Sequence, residues 1–143
     1  MTTLEYAEQI ETNTEPPDLR PVLEECRAHI LVGMTEGFNQ GRAPDGTAWP
    51  ARKDPRKTHP LLTLSGALKA AAGSPATGHV ERFEADALEI GVEKVQQGGL
   101  PGAAVHQFGY AKRNIAARPY VGISEETATK CSATVARMLG TPK

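Results

Sequence analysis

The residues of this 143-residue chain that could carry chemistry are four histidines, two cysteines, Ser65 and two adjacent carboxylate pairs. Cys26 and His29 are three apart and would share a helical face, but two ligands do not close a zinc site. Cys26 and Cys131 lack the CxxC spacing of a redox or metal site. Ser65 sits in Leu-Ser-Gly, not in the Gly-x-Ser-x-Gly elbow that exposes a nucleophile. The carboxylates of Glu24-Glu25 and Glu125-Glu126 are neighbours in sequence, so on a helix they diverge instead of converging on a substrate. Gly98-Gly99-Leu100-Pro101-Gly102 is followed by no Gly-Lys-Ser/Thr, which removes a phosphate loop. No nucleophile finds a base, so a peptidase or hydrolase is set aside. His29, His59, His79 and His106 read better as core or surface residues. No metal or other cofactor is expected.

Charge is the more informative chemistry. Residues 1–41 carry eight acids and two bases, a net −6. Residues 42–60 carry five bases and two acids, a net +3, and residues 61–143 carry nine bases and seven acids, a net +2. Unlike patches of this kind favour head-to-tail contact between copies, unless both are simply solvated. The basic cluster Arg42, Arg52, Lys53, Arg56 and Lys57 is the best functional patch. It would line a DNA passage or meet the acidic helices of a neighbour. It lacks interleaved aromatics, so stacking recognition of bases is not expected.

One strip holds a second constellation. Ala103 to Ser124 pairs Val105-His106-Gln107-Phe108-Gly109 with Ala117-Arg118-Pro119-Tyr120-Val121-Gly122. Pro119 biases Arg118 toward extended backbone, and the Arg118 head can reach a carboxylate, a backbone carbonyl or a subunit boundary. His106 and Gln107 set polar groups beside the apolar Val105 and Phe108. That mixture suits a subunit contact or a buried hydrogen-bonded corner, and the corner is the favoured reading for His106.

The elements that position these residues follow from periodicity. Leu4, Ala7 and Ile10 suit a short helix over 3–11, within an N-terminal extension that ends by residue 17. Asp18 is expected to cap a long helix, with Pro21 in its first turn and Gly41 as its stop. Leu19, Val22, Leu23, Cys26, Ile30, Gly33 and Phe38 recur along it near helical spacing. Gly33 and Gly37 would admit a close neighbour. Residues 42–60 form a long, proline-rich loop holding Trp49, the only tryptophan, which would anchor to the chain's own domain or to a neighbour. A short helix is expected over 61–72, with Leu61, Leu64 and Leu68 on one face. A β-hairpin over 79–84 and 87–93 follows, marked by the alternation of Leu88, Ile90 and Val92. Gln96 to Gly102 reads as flexible, Ala103 to Phe108 as a helical turn ended by Gly109, and 119–123 as a third strand. Ser124 caps a last helix, with Ala128, Cys131, Val135 and Met138 as its buried stripe.

The whole is one α+β domain over 1–143: a small antiparallel sheet, hairpin plus one or more strands, packed on two main helices, with a long extended loop. Seven aromatics in all leave the core to Leu, Ile, Val and Ala. No apolar run approaches the roughly 20 residues of a membrane span. The acidic, polar N-terminus suggests no signal peptide. The chain is expected in the cytoplasm, its thiols reduced.

Four stretches, in order, resemble the phage virion morphogenesis, or tail-completion, family of Mu-like and P2-like phages. They are Phe38–Pro50, His59–Leu68, Val105–Gly109 and Ala117–Ser124. The tyrosine-alanine usual before the His-Gln block is replaced here by Ala103-Ala104. The resemblance implies a structural virion protein without catalysis, assembled in the host cytoplasm. It implies a homo-oligomeric ring at the head–tail junction, a hexamer in the first instance and a dodecamer in the second. Connector or neck proteins and tail-tube or terminator proteins would be its neighbours, with non-specific contact to packaged DNA and no membrane. Arg42, Trp49, Arg52, Lys53, Arg56 and Lys57 are then candidates for the subunit interface or DNA lumen. His106, Gln107, Phe108, Gly109, Arg118 and Pro119 form a structural joint. The rival class is a small DNA-binding or regulatory module using the loop 42–60.

Overall fold

The computed structural model describes residues 17–56, 61–62, 66–93, 96–97 and 100–140. The short helix expected over 3–11 lies outside them, as do Lys57, His59, Leu64 and Ser65. In order, the elements are α1 (Arg20–Gln40), α2 (Ala67–Gly73), β1 (His79–Phe83), β2 (Leu88–Val92), β3 (Gln96–Gln97), β4 (Leu100–Pro101), α3 (Gly102–Phe108), a 3-10 turn (Ala111–Arg113) and α4 (Glu125–Leu139). The fold is a small α+β one.

Helix α1 starts one residue later than its composition suggests. Leu19 takes the cap position without a side-chain bond, while Asp18 Oδ1 accepts from the Arg20 amide at 3.1 Å. The C-terminus follows expectation. Gly41 is left-handed at φ 64°, and the Arg42 amide reaches back to Gly37 O at 3.0 Å. Val22, Cys26, Leu31, Met34 and Phe38 are the buried face.

Helix α4 lies along α1 and is capped by Ser124, whose Oγ accepts from the Thr127 amide at 3.1 Å. Its buried stripe is not the expected one. Thr127 and Thr134 are buried and Cys131 half-buried, whereas Ala128, Val135 and Met138 are exposed. Contact with α1 sets this rotation. A Cβ on Gly33 would strike Thr127 Oγ1, so glycine there lets the hydroxyl side of α4 approach. Two turns on, Thr134 Oγ1 donates to Lys130 O and meets Glu25 Oε1 at 3.3 Å, and Arg137 pairs with Glu25. Threonines with satisfied hydroxyls therefore face the partner helix, and the apolar residues face outward. Cys26 and Cys131 face each other across this contact as free thiols.

Strands β1 and β2 form a two-stranded antiparallel sheet with Val80 opposite Gly91 and Arg82 opposite Glu89. His79 ties this hairpin to α2, with Nδ1 2.7 Å from Ala71 O and Nε2 2.9 Å from Glu81 Oε2. Arg27 of α1 closes on the same Glu81 and holds its carboxyl below the usual range, with His79 assisting. Within the segment expected to be flexible, β3 pairs with β4, with Gln97 opposite Leu100, and β4 leads directly into α3; Gly98 and Gly99 lie outside the described residues. Helix α2 begins at Ala67, later than expected, after a left-handed Gly66.

Phe38, Trp49, Leu68, Ala71, Ala72, Ala103 and Tyr120 form the core cluster. Removing side-chain volume here leaves a cavity, so Leu68→Ala, at a position 1% exposed, is expected to cost about 2–5 kcal/mol. Met138→Ala, on the outward face of α4, should cost under about 1 kcal/mol. Urea denaturation of the two variants checks both, and a large loss for Met138→Ala would restore the buried stripe.

Candidate functional site

The segment after α3 does not become a strand. Gly109, at φ 80°, ends the helix by donating to Val105 O at 2.8 Å, and a Cβ there would lie 3.0 Å from the Ala117 amide nitrogen. The chain loops through the 3-10 turn, closed by a Tyr110–Ile115 bridge, and returns beside α3. Its backbone then bonds to α3 instead of to a sheet. The Arg118 amide donates to His106 O at 2.7 Å. Gln107 Oε1 accepts from the amides of Tyr120 (2.9 Å) and Val121 (3.0 Å), and Gln107 Nε2 donates to Val121 O at 3.3 Å. Pro119 has no amide to offer. With those donors committed to one helix end and one side chain, no ladder is left to form, which is why 119–123 is irregular.

The other motif residues lock the same corner. Tyr120 is buried, and its hydroxyl donates to Ala103 O at 2.8 Å. Burial pushes its pKa up to about 12, so it stays a neutral donor. Trp49 Nε1 donates to Pro119 O at 2.7 Å. The Phe38 ring meets Trp49 edge-on at 5.4 Å and lies tilted against Tyr120 at 5.5 Å. Arg118 donates from Nε and Nη2 to Pro50 O at 3.0 and 2.9 Å, and from Nη2 to Ala51 O at 3.2 Å. Of the three partners open to Arg118, the structure selects carbonyls. Burial, and then the Arg52 charge, lower its pKa.

Other candidates sit differently. Trp49 is a core residue, 6% exposed, because its indole satisfies both the Phe38 contact and the Pro119 carbonyl; its ring is not on offer to a neighbour. Phe108, grouped with the joint, points out of it at 78% exposure, beside a groove of about 360 Å³ that Val92 and Val121 help line. Arg42 Nη1 donates to Gly46 O, closing its own turn. Arg56 pairs with Asp54, and Lys53 Nζ donates to Asn114 O at 2.7 Å, docking the basic loop against the 3-10 turn. Lys57 lies outside the described residues. Sequence reasoning assigned no role to Tyr120, although it stood in the Arg-Pro-Tyr-Val block. It also overlooked Lys112 and Arg113, whose only signal was a dibasic pair between the two motif blocks. Among the described residues, no group of three or more His, Cys, Asp or Glu could hold a metal ion.

Two predictions follow from this geometry. Gln107→Ala strands two partly buried amides and is expected to cost about 2–3 kcal/mol, whereas Gln107→Glu keeps the acceptor and should cost about 1 kcal/mol; urea midpoints compare them. The second concerns His106, which burial first and the Arg118 charge second hold below its ordinary 6.5. The unfolded chain therefore binds this proton first. Its contribution to stability is complete above 6.5 and is lost as pH falls from there toward the lowered native value. His106→Gln should flatten the stability slope between about pH 7.5 and 5.5. An unchanged slope in that series of urea midpoints would contradict it. Glu81 and Glu25, held low by Arg27 and Arg137, lose their contribution only as pH falls below 4.5, a separate window.

Among the described residues no helix is long and apolar enough to cross a membrane. No curated protein and no solved structure is a match for the chain. The model of the phage virion morphogenesis family matches residues 4–140. That span contains the core cluster, the Gln107 corner and both long helices. The chain belongs to the phage virion morphogenesis family.

Proposed function

We propose that this chain, with the structural or assembly role in a phage virion that its family implies, is a non-catalytic subunit of a ring at the head–tail junction. The observation that carries this reading is where the polar groups of the motif blocks go. Gln107, Tyr120, Trp49 and Arg118 all direct their hydrogen bonds to the chain's own backbone. A catalyst would keep such groups for a substrate; here they build a rigid corner. The exposed Phe108, Ile123, Val135, Met138 and Leu139 supply apolar surface suited to neighbouring subunits. The charge asymmetry suits a heterologous contact whose rotation closes. A hexamer is the favoured ring and a dodecamer the alternative. In this reading the protein sits at the virion neck, between connector or neck proteins and tail-tube or terminator proteins.

A second reading keeps the basic loop for nucleic acid, as a small DNA-binding or regulatory module. Arg52 and Lys53 favour it by lying beside Arg118 and Asn114 in one cationic surface.

Native mass spectrometry of the purified protein, with electron microscopy of virions, separates the readings. The ring reading expects a closed oligomer and the protein at the neck. A protein absent from virions and monomeric at high concentration would sink it. The module reading instead expects DNA binding by the isolated chain, with log affinity falling linearly against log salt.

A further inference from the structure

The fold assembles a basic surface from two segments far apart in sequence. Residues 50–56 hold Arg52, Lys53 and Arg56, and residues 110–118 hold Lys112, Arg113 and Arg118. The Lys53–Asn114 bond and the Arg118 contacts to Pro50 and Ala51 bring them together. Asp54 is the only carboxylate in either segment. Lys53 and Arg118 bond to neutral carbonyls, so their charge is held in place without being cancelled. Such a surface attracts an anionic partner.

Several carboxylates of the helices and hairpin are already engaged. Glu24 pairs with Arg20, Glu25 with Arg137, Glu81 with Arg27 and Glu126 with Lys130, all within the subunit. Two of the three carboxylates of a neighbour's α1, Glu24 and Glu25, are thus already matched. Residues 1–16 are different. They carry Glu5, Glu8, Glu11 and Glu15 and no Lys or Arg. They also join the chain at the far end of α1 from the basic surface. Trp49 packs on Phe38 at the C-terminal end of that helix, and its 21 residues rise about 30 Å. One subunit thus carries an acidic segment at one end of α1 and a basic surface at the other. That arrangement lets the acidic end of one copy meet the basic end of another.

We propose that residues 1–16 of one copy dock on the basic surface formed by residues 52–56 and 112–118 of the next copy. The proposal rests on the reading of the chain as a self-assembling subunit and names the contact by which copies join.

The test is carbodiimide cross-linking of the full chain, mixing isotope-labelled and unlabelled protein, with native mass spectrometry of the same samples. Mixed-label cross-links from Glu5, Glu8, Glu11 or Glu15 to Lys53 or Lys112 are expected, lost at high salt. Lys112→Glu with Arg113→Glu should weaken association by about tenfold, the effect of two exposed pairs. Glu8→Lys with Glu11→Lys in the partner copy should restore it. Melting curves confirm that each variant is folded. Same-label cross-links alone, or copies that associate without these cross-links, would overturn the contact while leaving the assembly reading standing. Copies that never associate would overturn both. Duplex DNA that displaces no cross-link supports the proposal, and DNA bound in place of the neighbour overturns it.

Discussion

Two backbone amides, those of Tyr120 and Val121, lie where a third strand would be expected, yet among the described residues no strand lies beside them. The side-chain carbonyl of Gln107 accepts from both, and its amide nitrogen returns a bond to Val121. Each partly buried donor left without an acceptor would cost about 1–3 kcal/mol, so one glutamine secures a whole segment. Much else hangs on that placement. It sets the Tyr120 ring against Phe38, presents Pro119 O to the indole of Trp49, and aims Arg118 at the carbonyls of Pro50 and Ala51. The stretches Phe38–Pro50, Val105–Gly109 and Ala117–Ser124 are thereby sides of one corner, joined by hydrogen bonds that span 13 to 70 residues.

This corner accounts for where several polar side chains are spent and for the surface the chain offers. Tyrosine, tryptophan, glutamine and arginine, which could serve a substrate, are turned inward on backbone. In the helical half, four carboxylates pair with guanidinium or ammonium groups across α1, α4 and the hairpin. In the loop half, Lys53 and Arg118 bond to backbone carbonyls. Its cations lie on the surface that the corner creates, because docking residues 50–53 on the 3-10 turn is also what concentrates them. Internal architecture and outward charge are two consequences of the same contacts.

Features governed by local physics were legible in the sequence. Gly41 ended α1, Ser124 capped α4, the alternation of Leu88, Ile90 and Val92 marked β2, and Gly109 closed α3. Features decided by tertiary contact were not. Val135 and Met138 matched a buried stripe, but Gly33 admits Thr127 and rotates them outward. Residues 119–123 had strand composition, but a side chain 13 residues away captured their donors. Trp49 in a polar loop gave no sign that its indole would reach a carbonyl 70 residues on. The basic surface was half visible: the loop cations stood out, while Lys112 and Arg113 joined them only through folding.

On these contacts the Gln107 corner is as firm a part of the architecture as the helices. Residue-resolved hydrogen exchange of the full chain reads this out, because amides held by the global fold exchange only when the whole domain opens. The amides of Arg118, Tyr120 and Val121 should be protected to the level of the buried turns of α1. Exchange of these three at the rate of the exposed loop around Lys53 would contradict the account and return the segment to the status of a surface loop.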